Sequence, residues 1–456
     1  MNDERLEILQ HKIAEPAAGY KSVRISRIRI SNYRFFREEI ALDFNGANLL
    51  VYGENGSGKS TIYRALEYLA GKRFEGIAAE KNIFSDAAEP LIEFGFTNGK
   101  ELIIHSDMTE MPEGFDFIKG LSVFAPMLDY KKLLKVHYAT TLVAGRINVY
   151  DMLRELFKDY EAEDGIVLSG IKDPSRYFES LERIVNSVLL DETNRILAMF
   201  DADISLQKFT FKTEFTPDNR LEPVINIEID YREQAVDNYH TFLNEARLSA
   251  LAVSLYFAST KTLLGSLRSE SVKILVLDDL LIGLDMGNRF KLLDILKTEF
   301  SEFQIFFFTY DKELFEIYKN KMPWEKYELY MDDTADIPAA IVKRGSSETE
   351  RAKEFYAAKE YDCCALVLRK GFEKLLKSYL SPREQLDRNC NELNLADLVG
   401  RAKKKCTGEA KKIMEKLDSD RRHILNPLSH NDNRNIYAQE LKSAMDDLEK
   451  LKDMLR

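Results

Sequence analysis

The sequence is short of several things, and each shortage narrows what it encodes. Only four of the 456 residues are cysteines (Cys363, Cys364, Cys390 and Cys406), with no CxxC pair and no metal-ligand spacing. That argues against a disulfide framework or a zinc module and suits a reducing compartment. The apolar run "LSALAVSLYFA" has about half of the ~20 residues a bilayer crossing needs. The start, "MNDERLEILQHK", is charged where a signal peptide is apolar, so a cytoplasmic protein with no membrane partner is expected. Cationic charge is also in deficit. The 65 Lys and Arg face 76 Asp and Glu, a net charge of −11, too acidic for a surface devoted wholly to nucleic acid but compatible with a local basic groove. What the chain has in plenty is apolar residues, 45% of a long sequence, enough for large cores in two or three domains.

The first chemical signal is "GENGSGKST" at 53–61. The preceding "VRISRIRISNYRFF" (23–36) alternates like a half-buried strand, and "IALDFNGANLLVYG" adds one or two more. "TIYRALEYLAG" then has helical spacing and a glycine stop. Gly53, Gly58, Lys59 and Ser60 satisfy GxxxxGKS between that strand and that helix, the context a P-loop requires. Gly53, Asn55, Gly56, Gly58, Lys59, Ser60 and Thr61 are therefore the candidate ATP site. The backbone amides and the helix N-terminus meet the phosphates, Lys59 bridges the β- and γ-phosphates, and Ser60 ligates Mg²⁺.

A P-loop needs an acidic partner for the metal. "VKILVLDDLLIGLD" (272–285) reads as a buried strand ending in Asp278 and Asp279, with Asp285 in the loop beyond. Asp278 is assigned to Mg²⁺ and Asp279 to the attacking water. More than two hundred residues separate Lys59 from Asp278, so a long segment is inserted into the nucleotide fold. Upstream, "NYHTFLNEARLSALAVSLYFAST" (238–260) predicts a helix that starts near Glu245 or Ala246 with Asn244 as its cap.

Three motifs in this order resemble the ABC-type heads of the RecF/SMC group, over roughly residues 23–343. The resemblance implies an α/β head in which a signature helix caps the γ-phosphate of the opposite subunit. Asn244, Glu245, Ala246 and Arg247 stand at the signature, and Asp285 at the D-loop. Two positions depart from the family's pattern. Asp279 replaces a glutamate and reaches about 1 Å less far, a shift that can cost on the order of a hundredfold in rate. Tyr310 replaces the switch histidine after "FQIFFFT" and carries no charge near neutral pH. Asp279 and Tyr310 are the candidate catalytic pair, and slow hydrolysis is expected.

The expected organisation is an N-terminal extension (1–22), a first head lobe (23–150), a compact helical and β insertion (151–235), a second lobe (236–343) and a separate helical domain (350–456). No sustained heptad run occupies the insertion, so no long coiled-coil arm is expected. "LDYKKLLKVHY" (128–138) stands where related heads carry a Q-loop; it has no glutamine, and Asp129 or a plain helix start are both open, with His137 read as a helix residue. In the helical domain "DRRHILNPLSHNDN" (420–433) collects Arg421, Arg422, His423, His430 and Asp432. The HEPN-like ribonucleases place an arginine and a histidine near a helix end, but Arg422 and His430 are too far apart and Pro427 interrupts the helix, so a polar corner is the main reading. The lysines of "RAKKKCTGEAKK" (401–412) read by default as a solvated face, with a phosphate contact as the alternative.

The short head, "FLNEARLSAL", "LDDLLIGLD" and the helical extension together resemble the ATPases of bacterial anti-phage systems, above all the Septu (PtuA) type. That resemblance implies a partner HNH nuclease restrained by bound ATP, a homo-oligomer larger than a dimer built through ATP-sandwiched heads and the helical domain, and DNA met through the complex. Two rivals stand beside it: a ribonuclease toxin of the anticodon-nuclease type and a RecF-like DNA repair ATPase.

Overall fold

The computed structural model describes residues 22–455 apart from 72–73, 86–88, 123–126, 130–141, 144–145, 164, 202, 216–218, 220, 265–270, 281–282, 333, 335, 346, 389–390 and 427–437. It divides into two compact units, Met1–Arg344 and Gly345–Arg456.

The first unit, the head, is built on a six-stranded sheet. In chain order its elements begin with β1 (Ile25–Ser31), β2 (Ile40–Asp43), β3 (Leu49–Gly53), α1 (Lys59–Gly71), β4 (Leu91–Phe96), β5 (Glu101–Ile104) and β6 (Met127–Asp129). Then come α2 (Tyr150–Phe157), α3 (Pro174–Ile184), α4 (Leu190–Phe200), β7 (Ile204–Phe215), β8 (Leu221–Tyr231), β9 (Gln234–Val236) and α5 (Glu245–Leu264). The head closes with β10 (Ile274–Asp278), α6 (Met286–Glu299), β11 (Gln304–Thr309), α7 (Lys312–Lys321), β12 (Glu325–Asp332) and β13 (Ala339–Arg344).

The main sheet runs β13-β12-β3-β11-β10-β6, parallel except for β13. Its central strands are buried on both faces, as parallel sheets require. On β3, Leu49 and Val51 enter one core while Leu50 and Tyr52 enter another; on β11, Phe306 and Phe308 divide from Ile305 and Phe307 in the same way. The period of two thus sends alternate residues to opposite layers. The first layer is the antiparallel sheet β2-β1-β4-β5 with α1, and the second holds α5 and the insertion.

Strand β1 is shorter than the alternation over 23–36 predicts. It stops at Ser31, and Asn32 and Arg34 take left-handed backbone angles of 52° and 48°. The chain folds back there, and the buried ring of Phe36 is set against the P-loop. The start of "LDYKKLLKVHY" is likewise strand, not helix. β6 pairs parallel with β10, so edge pairing decides its conformation; residues 130–138, including His137, lie outside the described residues. The insertion carries α2–α4 and the antiparallel sheet β7-β8-β9.

The second unit comprises α8 (Glu348–Ala357), α9 (Tyr361–Tyr379), α10 (Leu395–Lys405), α11 (Gly408–Asp420) and α12 (Ala438–Met454) around its own core. Ser347 opens α8 with a reciprocal capping box to Glu350. After α11 the chain makes a π-turn, Arg421–Leu425. His430 and Asp432 lie outside the described residues. Cys363, Cys364 and Cys406 are free thiols. No described helix is long and apolar enough to cross a membrane.

Candidate nucleotide site

The candidate residues gather at the carboxyl ends of β3, β10 and β11, where parallel α/β sheets hold their ligands. The register aligns these ends: Val51 lies beside Phe308, Tyr52 beside Thr309, and Asp278 beside both Phe308 and Asp129. Asp129 therefore ends its strand on the same edge as Asp278.

Sterics explain the loop's glycines. Gly56 and Gly58 have φ of 84° and 99°, which side-chain-bearing residues resist. A Cβ on Gly53 would fall 2.5 Å from Lys59 Cγ and from Ser57 Oγ, and one on Gly58 would fall 2.5 Å from the Phe36 ring. The Lys59 ammonium turns back into the loop and donates to the carbonyls of Gly53 (2.5 Å) and Glu54 (3.4 Å). Burial lowers its pKa, opposed by the charges of Asp279 and Asp278. Ser60 is exposed at the start of α1 while Thr61 is buried; Asn55 and Gly56 form the exposed tip. Beside the loop, where the Phe36 ring packs on Gly58, a groove of ≈ 390 Å³ runs between 36–40 and 336–340. Sequence reasoning missed this groove because it joins segments three hundred residues apart.

Asp279 leaves the sheet with φ of 50°, a left-handed conformation that Asp tolerates better than most residues. Its amide donates to the Phe308 carbonyl (3.1 Å), and its Oδ1 accepts from the amide of Tyr310 (3.0 Å). The two candidate catalytic positions are thus joined through the Tyr310 backbone, while the Tyr310 ring is 43% exposed. Burial raises the Asp279 pKa; Lys59 and the Tyr310 amide offset only part of that. A raised carboxylate is a better base. A cavity of ≈ 20 Å³ lies against it, lined by Asp279, Arg289, Tyr310 and Asp311 among others, room for about one water. Arg289 is fixed there by Asp311 (2.9 Å) and the Leu284 carbonyl (2.9 Å); no sequence pattern had marked it. Lys59, Ser60, Asp278 and Asp279 are a suitable set for ATP-bound Mg²⁺, with lysine for phosphate charge and hard oxygen ligands for the ion.

Asn244 caps α5, its Oδ1 accepting from the Arg247 amide (3.0 Å). Glu245 is exposed and Ala246 half-buried. Arg247 is turned into its own chain: Nε donates to Asp201 (2.7 Å), Nη2 lies 3.8 Å from Asp203, and the guanidinium stacks 4.9 Å from the Tyr231 ring centroid. Asp285 caps α6 by accepting from the Asn288 amide (2.8 Å). A Cβ on nearby Gly283 would lie 2.0 Å from Ser249 Oγ of α5, so the D-loop and the signature helix pack together. Among the described residues the signature end of α5 makes no hydrogen bond or ion pair with the P-loop.

A protein-family model described as an AAA domain matches residues 27–251. Over 53 residues the chain is 40% identical to the DNA replication and repair protein RecF of Carboxydothermus hydrogenoformans, a match covering 11% of this chain and 15% of that protein. Among solved structures, an SMC head bound to the C-winged helix domain of ScpA aligns over 72% of this chain and 99% of its own, with TM-score 0.44 and 10% identity. The SMC head domain from Thermotoga maritima aligns over 70% and 98%, with TM-score 0.35 and 13% identity. With its P-loop, acidic strand end and two-layered parallel sheet, the chain carries an α/β P-loop head, similar over part of its length to an AAA domain and to RecF, followed by a helical unit.

Proposed function

We propose that this head is a slowly hydrolysing, ATP-gated dimerisation switch that controls a separate effector. The observation that carries the reading is Asp279: a short carboxylate in a left-handed turn, held by the amide of a tyrosine that stands where a charged switch residue is expected. Such a site is suited to holding ATP and Mg²⁺ longer than it consumes them. In this reading the signature helix of one subunit closes the P-loop of the next, for which the exposed Asn244 and Glu245 are available. In the finer reading, the protein is the cytoplasmic ATPase of a Septu-like (PtuA) anti-phage system. It forms an oligomer through heads and helical units and restrains an HNH nuclease that cuts DNA. The support is the resemblance of "FLNEARLSAL" and "LDDLLIGLD" to that group and the lack of an assigned nuclease site among the described residues. The test is co-expression with an HNH nuclease encoded beside it. The pair should co-purify, ATP should suppress DNA cleavage, and Lys59→Ala should release it; cleavage indifferent to both would refute this reading.

The RecF match favours a second reading, a DNA repair ATPase. It predicts ATP-dependent, salt-sensitive DNA binding with no nuclease partner.

A further inference from the structure

The two units carry charge of opposite sign. Residues 345–456 hold 23 Lys and Arg against 20 Asp and Glu, a balance of +3, which leaves −14 for residues 1–344. Within the helical unit the excess is concentrated: residues 401–422 contain nine Lys and Arg against four Asp and Glu. Such asymmetry between halves of a chain points to a polyanion, but a solvated lysine face would share it. The structure supplies what composition cannot.

Three of these cations converge on one buried carboxylate. The Asp418 side chain is only 6% exposed. Its Oδ1 accepts from Arg421 Nε (3.1 Å) and Nη2 (2.8 Å), and its Oδ2 from Arg422 Nη2 (2.8 Å) and Lys403 Nζ (2.6 Å). A carboxylate has about four acceptor positions, so Asp418 is saturated, and the cluster keeps two positive charges it does not neutralise. Arg421 is nearly buried beneath, whereas Arg422 is 61% exposed with donors left for another anion. Buried ion clusters are weak stabilisers, so stability gives little reason to hold three cations this close. An arginine fork fixed by a carboxylate is, however, pre-organised to grip phosphate.

The cluster also continues along the surface. Lys411, Asp418 and Arg422 stand at i, i+7 and i+11, on one face of α11 and its following turn. Lys411 and Arg422 are eleven residues apart, roughly 15 Å along the helix and its following turn, which is several nucleotide steps at 3.4 Å per strand. Lys404, Lys411 and Lys412 are exposed and form no ion pair among the described residues. A lone phosphate would not use that length; a strand would.

We propose that the face of α10 and α11 centred on Asp418 binds the phosphodiester backbone of a nucleic acid. Arg422, Lys403, Lys404, Lys411 and Lys412 are the contacts, and Asp418 positions the arginines. This inference does not depend on the switch reading of the head.

The test uses the full-length protein without ATP and measures anisotropy of a labelled single-stranded RNA and a labelled DNA duplex from low to moderate salt. Arg422→Ala/Lys411→Ala should weaken binding at least ~10-fold and lower the slope of log affinity against log salt by about 0.7 to 0.9 per lost contact. The melting temperature should fall far less than in Asp418→Ala, because Lys403 and Arg421 still satisfy the carboxylate. Arg422→Lys should recover part of the loss, and Lys212→Ala/Lys297→Ala, on exposed head lysines, should keep parental affinity. Whichever probe binds more tightly names the nucleic acid. Four results would overturn the proposal: no binding by the parent, a loss no greater than in the head control, an unchanged salt slope, or competition by poly-glutamate as strong as by unlabelled strand.

Discussion

Asp279 in the head and Asp418 in the helical unit are the same residue type under the same pressure, with opposite outcomes. Burial works to raise both pKa values. At Asp279 it prevails over Lys59 and the Tyr310 amide, and the carboxyl ends above the ordinary range. At Asp418, Lys403 and Arg421 outweigh it and hold the group below that range. The difference lies in satisfaction: Asp418 has its acceptor positions filled by cations, whereas Asp279 has one backbone amide, the charge of Lys59 and a water-sized cavity. A carboxylate with unmet demand at a strand end is placed for chemistry; one saturated by cations organises those cations instead.

The contrast breaks most visibly at the phosphate cation. Lys59→Ala should weaken ATP binding by at least ~100-fold, since buried phosphates lose their charge partner, as measured with labelled nucleotide. Unchanged affinity would remove the site assignment. Asp279→Asn keeps the left-handed turn and the bond from Tyr310 but removes the base. Turnover should fall by about 10²-fold or more with ATP affinity altered less than ~3-fold. The parent's turnover should decline as pH falls through a midpoint above the ~3.9 of free aspartate, because protonation removes the base form and the pKa is raised. Asp279→Asn should lack that acid limb.

Asp418→Ala tests the other carboxylate. Breaking a buried pair costs about 3–5 kcal/mol, here by leaving the nearly buried Arg421 without its carboxylate, and the loss should stay in the helical unit. Trp324, the chain's one tryptophan, is buried in the head. Its fluorescence transition in urea should therefore hold while the circular dichroism transition moves to lower urea. The smallest effect concerns the two departures from the family pattern. Asp279→Glu with Tyr310→His should raise turnover a few-fold above either single change, limited by glutamate's poorer tolerance of φ near 50°. A double variant no faster than the parent would place the slow step in head opening.

These differences also mark how far the sequence could be read. The P-loop was legible because glycine, lysine and serine stand at fixed offsets between a strand and a helix, and β10 because an apolar run ends in two aspartates. The β7–β8 hairpin shows in its alternation, and Asn244 in its cap position. What stayed hidden depends on distant contacts. The three-residue β6 exists because β10 is beside it, and Phe36 packs on Gly58 only after the turn at Asn32–Arg34. Arg289 reaches the Asp279 cavity from α6, and the grip of Asp418 on Lys403 spans two helices. The left-handed Asp279 and the π-turn at 421–425 leave no periodic trace.

If each ATP is closed by two chains, two variants that are inactive alone should complement one another when mixed. Lys59→Ala lacks a phosphate cation but has an intact signature; Asn244→Arg blocks the signature but keeps the P-loop. Each should be nearly inactive alone. Mixed in equal amounts and allowed to exchange, random pairing would give one complete site in half of the pairs, so turnover should recover to about a quarter of the parental rate per site. Mixed oligomers, verified by affinity tags on the two variants, that recover no turnover would contradict a site shared between subunits.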